Sequence, residues 1–137
     1  MNSKGIFNIE LYVSLMMLLI IITMILSIGM QEFSSLEETQ TRKEARTVTT
    51  DITRIINTVY LNGDNCSYTY RLPEKINNET YILQINATGV YLNSHYQMTY
   101  SKPIYNIEYQ REKIILKGGD VYEFINNNNT IEINSLS

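Results

Sequence analysis

The chain has 137 residues, enough for one domain and an anchor but not for two full domains. Eleven Lys and Arg stand against 14 Asp and Glu, a formal charge of -3 with no basic cluster, which argues against nucleic acid as a partner. One cysteine, Cys66, excludes an intrachain disulfide. A single His, with no Asp/Glu cluster at metal-ligand spacing and no phosphate-cradling glycine loop, argues against an enzyme, a metal site or a cofactor.

The first element is an apolar run, Leu11 to Met30, that carries no charge. Twenty helical residues rise roughly 30 Å, the thickness of a bilayer's hydrocarbon core, so the run predicts a transmembrane helix. Lys4 precedes it while Glu32, Glu37 and Glu38 follow, which places the short N-terminus in the cytoplasm and the rest of the chain outside. A secretory signal peptide is the alternative, with Ser27-Ile28-Gly29 offering small residues near a cut, but the run exceeds the usual apolar core of about 7 to 15 residues. Glu10 stands at the cytoplasmic end of the run. A carboxylate at the centre of a transmembrane helix costs roughly 2.5 to 3.5 kcal/mol, and less near the interface, so taken alone Glu10 reads equally well as a boundary charge facing headgroups.

Gln31 to Leu61 contains neither Pro nor Gly. Val48, Ile52, Ile55, Ile56 and Val59 recur on one helical face, with Arg46, Thr50, Asp51, Arg54 and Asn57 opposite. This predicts one long helix from Ile6 to Leu61, about 84 Å if continuous, with a kink near Gly29. Ser34 with Glu37 three residues later could instead open a second helix. Asn62-Gly63-Asp64-Asn65 supplies the stop.

Beyond the stop the period changes to two. Residues 68–72, 81–85, 90–92, 96–100, 104–109, 113–117, 120–125 and 130–133 alternate as short strands, seven or so in an antiparallel sheet or small sandwich. Gly118-Gly119 between two of them reads as the clearest hairpin in the chain. Ten of the 11 Tyr lie from Tyr60 onward, a residue type that suits strands and contact surfaces, here more often sheet packing than a binding site. His95 reads as a surface turn residue and Cys66 as an inert small one. Alone, about 75 head residues make a marginal core, so the Val48–Val59 face is expected to pack across the sheet and complete it.

Four Asn-x-Ser/Thr sequons, at Asn65, Asn78, Asn86 and Asn128, fall in predicted turns and are candidate N-glycosylation sites.

Lys4-Gly5-Ile6-Phe7-Asn8-Ile9-Glu10, running directly into an apolar helix, resembles the processing site of type IV pilin precursors, and more narrowly the class III signal peptides of archaeal, methanogen-type pilins. The resemblance implies cleavage by a membrane prepilin peptidase after Gly5, with Lys4 and Gly5 before the cut, Ile6 as the new N-terminus and Glu10 as the fifth mature residue. It implies an α+β lollipop: a leader at 1–5, a transmembrane and filament-core helix at 6–30, an amphipathic stem helix at 31–61 and an extracellular β-rich head at 62–137. The expected function is a structural subunit, major or minor, of a pilus-like surface filament. Its partners would be other copies or other pilins through the N-terminal helix, the membrane, the peptidase, and an S-layer or surface ligand. Two alternatives stay open: a non-polymerising pilin-like membrane protein, such as a pseudopilin or an archaellum stator-like component binding the S-layer, and an adhesion module using its Tyr-rich face.

Overall fold

A computed structural model describes residues 3–94 and 98–137, with side chains from Asn8 onward in the N-terminal segment. His95 and Tyr96 lie outside the described residues. One helix, α1 (Ser3–Asn62), is followed by eight strands: β1 (Ser67–Arg71), β2 (Ile82–Asn86), β3 (Gly89–Asn93), β4 (Met98–Ser101), β5 (Glu108–Tyr109), β6 (Lys113–Lys117), β7 (Val121–Asn127) and β8 (Thr130–Ser135). The fold is α+β, as expected. The helix passes through Gly29 and Ser34 without a break, so the second start at Ser34 is not used. Helix-favouring Leu, Ile, Met and Glu outweigh the roughly 1 kcal/mol that one interior Gly costs.

The chain divides into two compact units, Met1–Glu37 and Glu38–Ser137. In the first, every residue from Asn8 to Glu37 is exposed. The second contains the rest of α1 and all eight strands. They form two four-stranded sheets, ordered β1-β7-β8-β5 and β4-β3-β2-β6. Strands alternate buried and exposed positions, as in Ile114 and Leu116 inward with Lys113, Ile115 and Lys117 outward on β6.

Both sheets and the helix share one core. Ala45, Val48, Ile52, Ile55, Ile56 and Val59 line the buried stripe of α1 and meet Leu83, Leu92, Leu116 and Phe124 of the strands in the same cluster. The head is thus completed by its helix, the packing that the Val48–Val59 spacing predicts. Three threonines join the buried stripe: Thr41, Thr49 and Thr53. Thr49 donates to the Ala45 carbonyl at 3.1 Å and Thr53 to the Thr49 carbonyl at 2.8 Å, so their hydroxyls enter the core with partners. Thr53 also meets the Ser101 hydroxyl at 2.9 Å, tying the helix to β4.

Three strand expectations need correction. The strands flanking Gly118-Gly119 are not a hairpin: β6 pairs with β2 in one sheet, while β7 pairs with β1 and β8 in the other. The turn's own bonds explain this. The Gly119 amide donates to the Leu72 and Pro73 carbonyls, each at 3.2 Å, and the Leu72 amide donates to the Asp120 carbonyl at 3.1 Å. A Cβ on Gly118 would lie 2.8 Å from the Glu74 carbonyl oxygen, so Gly is required there by close backbone approach. Second, the strand expected at 104–109 shrinks to Glu108–Tyr109, because the Ile104 amide is taken by Asn57 Oδ1 at 3.1 Å rather than by a ladder. Third, that short strand runs parallel to β8, so the first sheet is mixed.

The tight turns come from Asn-Asn pairs. Asn128-Asn129 closes the β7–β8 hairpin with φ of 52° and 65°, and Asn77-Asn78 closes the Ile76–Glu79 bridge with φ of 46° and 63°. Two successive left-handed residues make the type I′ turn that matches strand twist, and Asn tolerates it.

The tyrosines mostly rim the core. Tyr60 and Tyr105 stack with centroids 5.3 Å apart, and Tyr81 donates to the Pro73 carbonyl at 2.6 Å. Tyr109 differs: its hydroxyl is buried with no hydrogen-bond partner among the described residues, and burial pushes its phenol up to about 12. Tyr109→Phe is therefore expected to stabilise the head by about 1 kcal/mol at pH 7, by removing an unpaired buried polar group. The raised value has a sign. The unfolded chain loses this proton near pH 10 while the folded head keeps it to about 12, so the wild type loses stability across that window. The Phe variant lacks that share of the alkaline fall, which denaturation at pH 8 and pH 11 would measure.

Candidate assembly surface and head turns

Residues 11 to 30 combine Leu, Ile, Met and Val on every side of the helix. Their side chains are 43% exposed at the least among the large apolar ones, at Ile22, and 76% at Met30. Apolar groups left in water on this scale carry a large free-energy cost that an apolar environment would relieve. Among the described residues this helix alone is long and apolar enough to cross a membrane, which makes it compatible with membrane anchoring. Thr23 donates to the Ile20 carbonyl at 2.9 Å, so its hydroxyl need not be solvated.

Glu10 is exposed at the start of this surface. Lys4, Gly5 and Ile6 have helical backbone, and their side chains lie outside the described ones. Ile6 and Glu10 are four residues apart, one helical turn or roughly 6 Å of rise.

The sequons are distributed over the head's turns. Asn65, Asn78 and Asn128 are exposed and left-handed, with φ of 63°, 63° and 52°. Asn86 is half-buried at the end of β2, its Oδ1 accepting from the Thr88 amide at 2.9 Å, the Gly89 amide at 3.2 Å and the Thr88 hydroxyl. Cys66 is a half-buried free thiol.

From sequence, the run Asn126 to Asn129 reads as the turn into the last strand, Asn126 included. It is instead fully buried on β7, and its Nδ2 donates to the Val59 and Tyr60 carbonyls at 3.3 and 3.2 Å. Its Oδ1 accepts from the Asn129 amide at 2.9 Å. One side chain thus caps the end of α1 and braces the β7–β8 turn. The available signal was phase: Tyr122, Phe124 and Asn126 fall on the same inward face. Glu44 and Thr41 were missed in the same way. The Asn77 amide donates to Glu44 Oε2 at 2.7 Å, and Asn77 Nδ2 donates to Thr41 Oγ1 at 3.0 Å, which docks the Asn77-Asn78 turn on the helix.

Beside that docked turn lies a cavity of about 540 Å³ lined by Gln40, Lys43, Glu44, Val48, Pro73 and Ile76 among others. Among the described residues no group of three or more His, Cys, Asp or Glu is placed to hold a metal.

These features define a class: an α+β chain whose N-terminal helix is exposed and apolar in its first part and, from Ala45 to Val59, completes the core of a two-sheet head. Comparison with protein-family models, with curated proteins and with solved structures found no match.

Proposed function

We propose that this chain is a structural subunit, major or minor, of a type IV pilus-like surface filament of the archaeal kind. It is made as a precursor, cut after Gly5 by a prepilin-type peptidase, and assembled through its apolar helix with the head outside the cell. The observation that supports this reading is an exposed, uncharged helix surface that begins just after Glu10, with Lys4-Gly5-Ile6 four to six residues before that acid.

The physical logic runs from those residues. Cleavage would free the amine of Ile6, a positive charge close to the mouth of an apolar helix. The Glu10 carboxylate of an adjoining copy can neutralise it. In a low-dielectric bundle such a pair is favoured chiefly because an unpaired charge is costly, so it sets the axial register of one helix against the next. Cohesion comes from lateral packing of the apolar side chains, which are the same groups that hold the precursor in the bilayer before assembly.

Mass spectrometry of the N-terminal peptide in sheared surface material tests the reading. A peptide beginning at Ile6 in filament fractions is the expected result. An intact Met1 terminus on a chain that stays with the membrane after shearing would overturn it and favour a non-polymerising pilin-like membrane protein.

A further inference from the structure

The outer face of the β4-β3-β2-β6 sheet leaves apolar and aromatic groups uncovered: Ile82, Met98, Tyr100 and Ile115 are each half or more exposed. Tyr91 and Tyr100 are ladder partners on this face, with centroids 4.9 Å apart and planes at 38°. Asn86 pairs directly with Gly89 in the β2–β3 hairpin, and directly paired positions present their side chains to the same face. A Cβ built on Gly89 would lie 2.5 Å from Tyr100 Cε2, so the Tyr100 ring lies over Gly89, immediately beside the Asn86 position.

Thr88 joins the sequon to both rings. Its hydroxyl shares a hydrogen bond of 2.8 Å with the Tyr91 hydroxyl, and its carbonyl accepts from the Tyr100 hydroxyl at 2.8 Å. The same residue donates through its amide and its hydroxyl to Asn86 Oδ1. The acceptor amide is thereby held by its oxygen, and Nδ2 is the atom a sugar would join. The four-residue turn Asn86–Gly89 thus holds an acceptor Asn and its obligatory hydroxyl residue against two rings on the neighbouring strands, half-buried Tyr91 and half-exposed Tyr100.

We infer that Asn86 carries an N-linked sugar whose first pyranose rings lie on Tyr91 and Tyr100, so that the exposed face of this sheet is a platform for the protein's own glycan. The chemistry is complementary. A pyranose presents a face of C–H bonds to the negative face of an aromatic ring, and its hydroxyls point to the side, where Gln84 and Asn93 stand on the same sheet face. Gly89 allows the Tyr100 ring to lie close to the sheet, which leaves its other side for the sugar. The platform rests on the reading that the head is outside the cell.

The test uses the full chain in detergent, made in its own host and in a host lacking the oligosaccharyltransferase. Glycopeptide mass spectrometry is expected to find sugar on the peptide containing Asn86. Asn86→Gln in the glycosylated chain should lower the head's thermal midpoint by about 4 to 8 °C, the range for loss of one modest interaction in a domain of this size. In the unglycosylated chain the same substitution removes only the bonds accepted by Oδ1, and the fall should be smaller. Equal falls in both hosts, or no sugar on Asn86, would overturn the inference. Tyr91→Ala with Tyr100→Ala should abolish the difference between glycosylated and unglycosylated chains. If that variant does not fold, nuclear Overhauser contacts between sugar protons and Tyr91 or Tyr100 ring protons decide the matter, and their absence sinks the platform. Labelling of Lys113 and Lys117 on intact cells with a membrane-impermeant reagent keeps the two readings apart. Labelled lysines with a bare Asn86 overturn the glycan alone, whereas unlabelled lysines overturn the outside location and the glycan with it.

Discussion

Replacing Asn126 with Asp is expected to lower the stability of the head by about 3 kcal/mol or more, a large share of the roughly 5 to 15 kcal/mol that holds a domain together. Asn126 is 0% exposed, and its Nδ2 supplies hydrogens to two carbonyls at the end of α1, those of Val59 and Tyr60. An ionised Asp would turn two acceptors and a buried negative charge toward one another. Protonated Asp could satisfy one carbonyl at most. The Asn126→Leu variant separates charge from bonding: it keeps apolar volume but removes the side-chain donor to both carbonyls and the Oδ1 acceptor of the Asn129 amide, for an expected loss of about 2 to 3 kcal/mol. The measurement is denaturant unfolding followed by near-ultraviolet tyrosine dichroism, which reports chiefly on the head because ten of the 11 Tyr lie from Tyr60 onward. A loss under 1 kcal/mol for both variants would show that the helix end does not depend on this side chain.

The second large effect is on assembly. Glu10→Ala is expected to reduce filaments recovered by shearing at least tenfold, while the precursor enters the membrane at least as well as before. The two directions oppose each other, which makes the combination informative. Removing a carboxylate from the edge of an apolar helix relieves a cost of up to roughly 2.5 to 3.5 kcal/mol for insertion. In the bundle the same change leaves a buried amine without its counter-charge. A charge that merely faces headgroups would give easier insertion with filaments unchanged, and that outcome would end the register role. The head's thermal midpoint should not move, because Glu10 belongs to the first compact unit and the head to the second.

Much of this fold is legible in the amino-acid order because its two periods are clean. The stripe from Val48 to Val59 and the alternation in β6, β7 and β8 each name a buried face, and those faces meet in one core. What misleads is Gly118-Gly119. Alternating strands on both sides of two glycines have every local mark of a hairpin, yet the glycines serve a non-local need, the approach of the Pro73 and Glu74 backbone. No local pattern reports a contact made by residues some 45 positions away. Asn126 hides for a related reason: in a run of four asparagines its neighbours Asn127, Asn128 and Asn129 are exposed, the last two forming the turn, and only its phase with Phe124 distinguishes it. The candidate assembly residues are a different case. On the proposed reading, Lys4, Gly5 and Ile6 would be read by another protein and Glu10 would find its partner on another molecule, so a single folded chain displays the acid without the group that gives it meaning.

Strand β6 ends its sheet with an open edge, bordered by exposed Lys113 and Lys117, and the Lys117 amide is already occupied by the Tyr122 hydroxyl at 2.8 Å. Where apolar helices gather many copies side by side, heads are held at a local concentration far above that of free protein. Crowded edges of this kind are prone to zip into continuous cross-β ribbons, and paired lysines facing one another resist that by charge repulsion. In the proposed filament the two cations would act as fenders, permitting dense ranks of heads without fusing them.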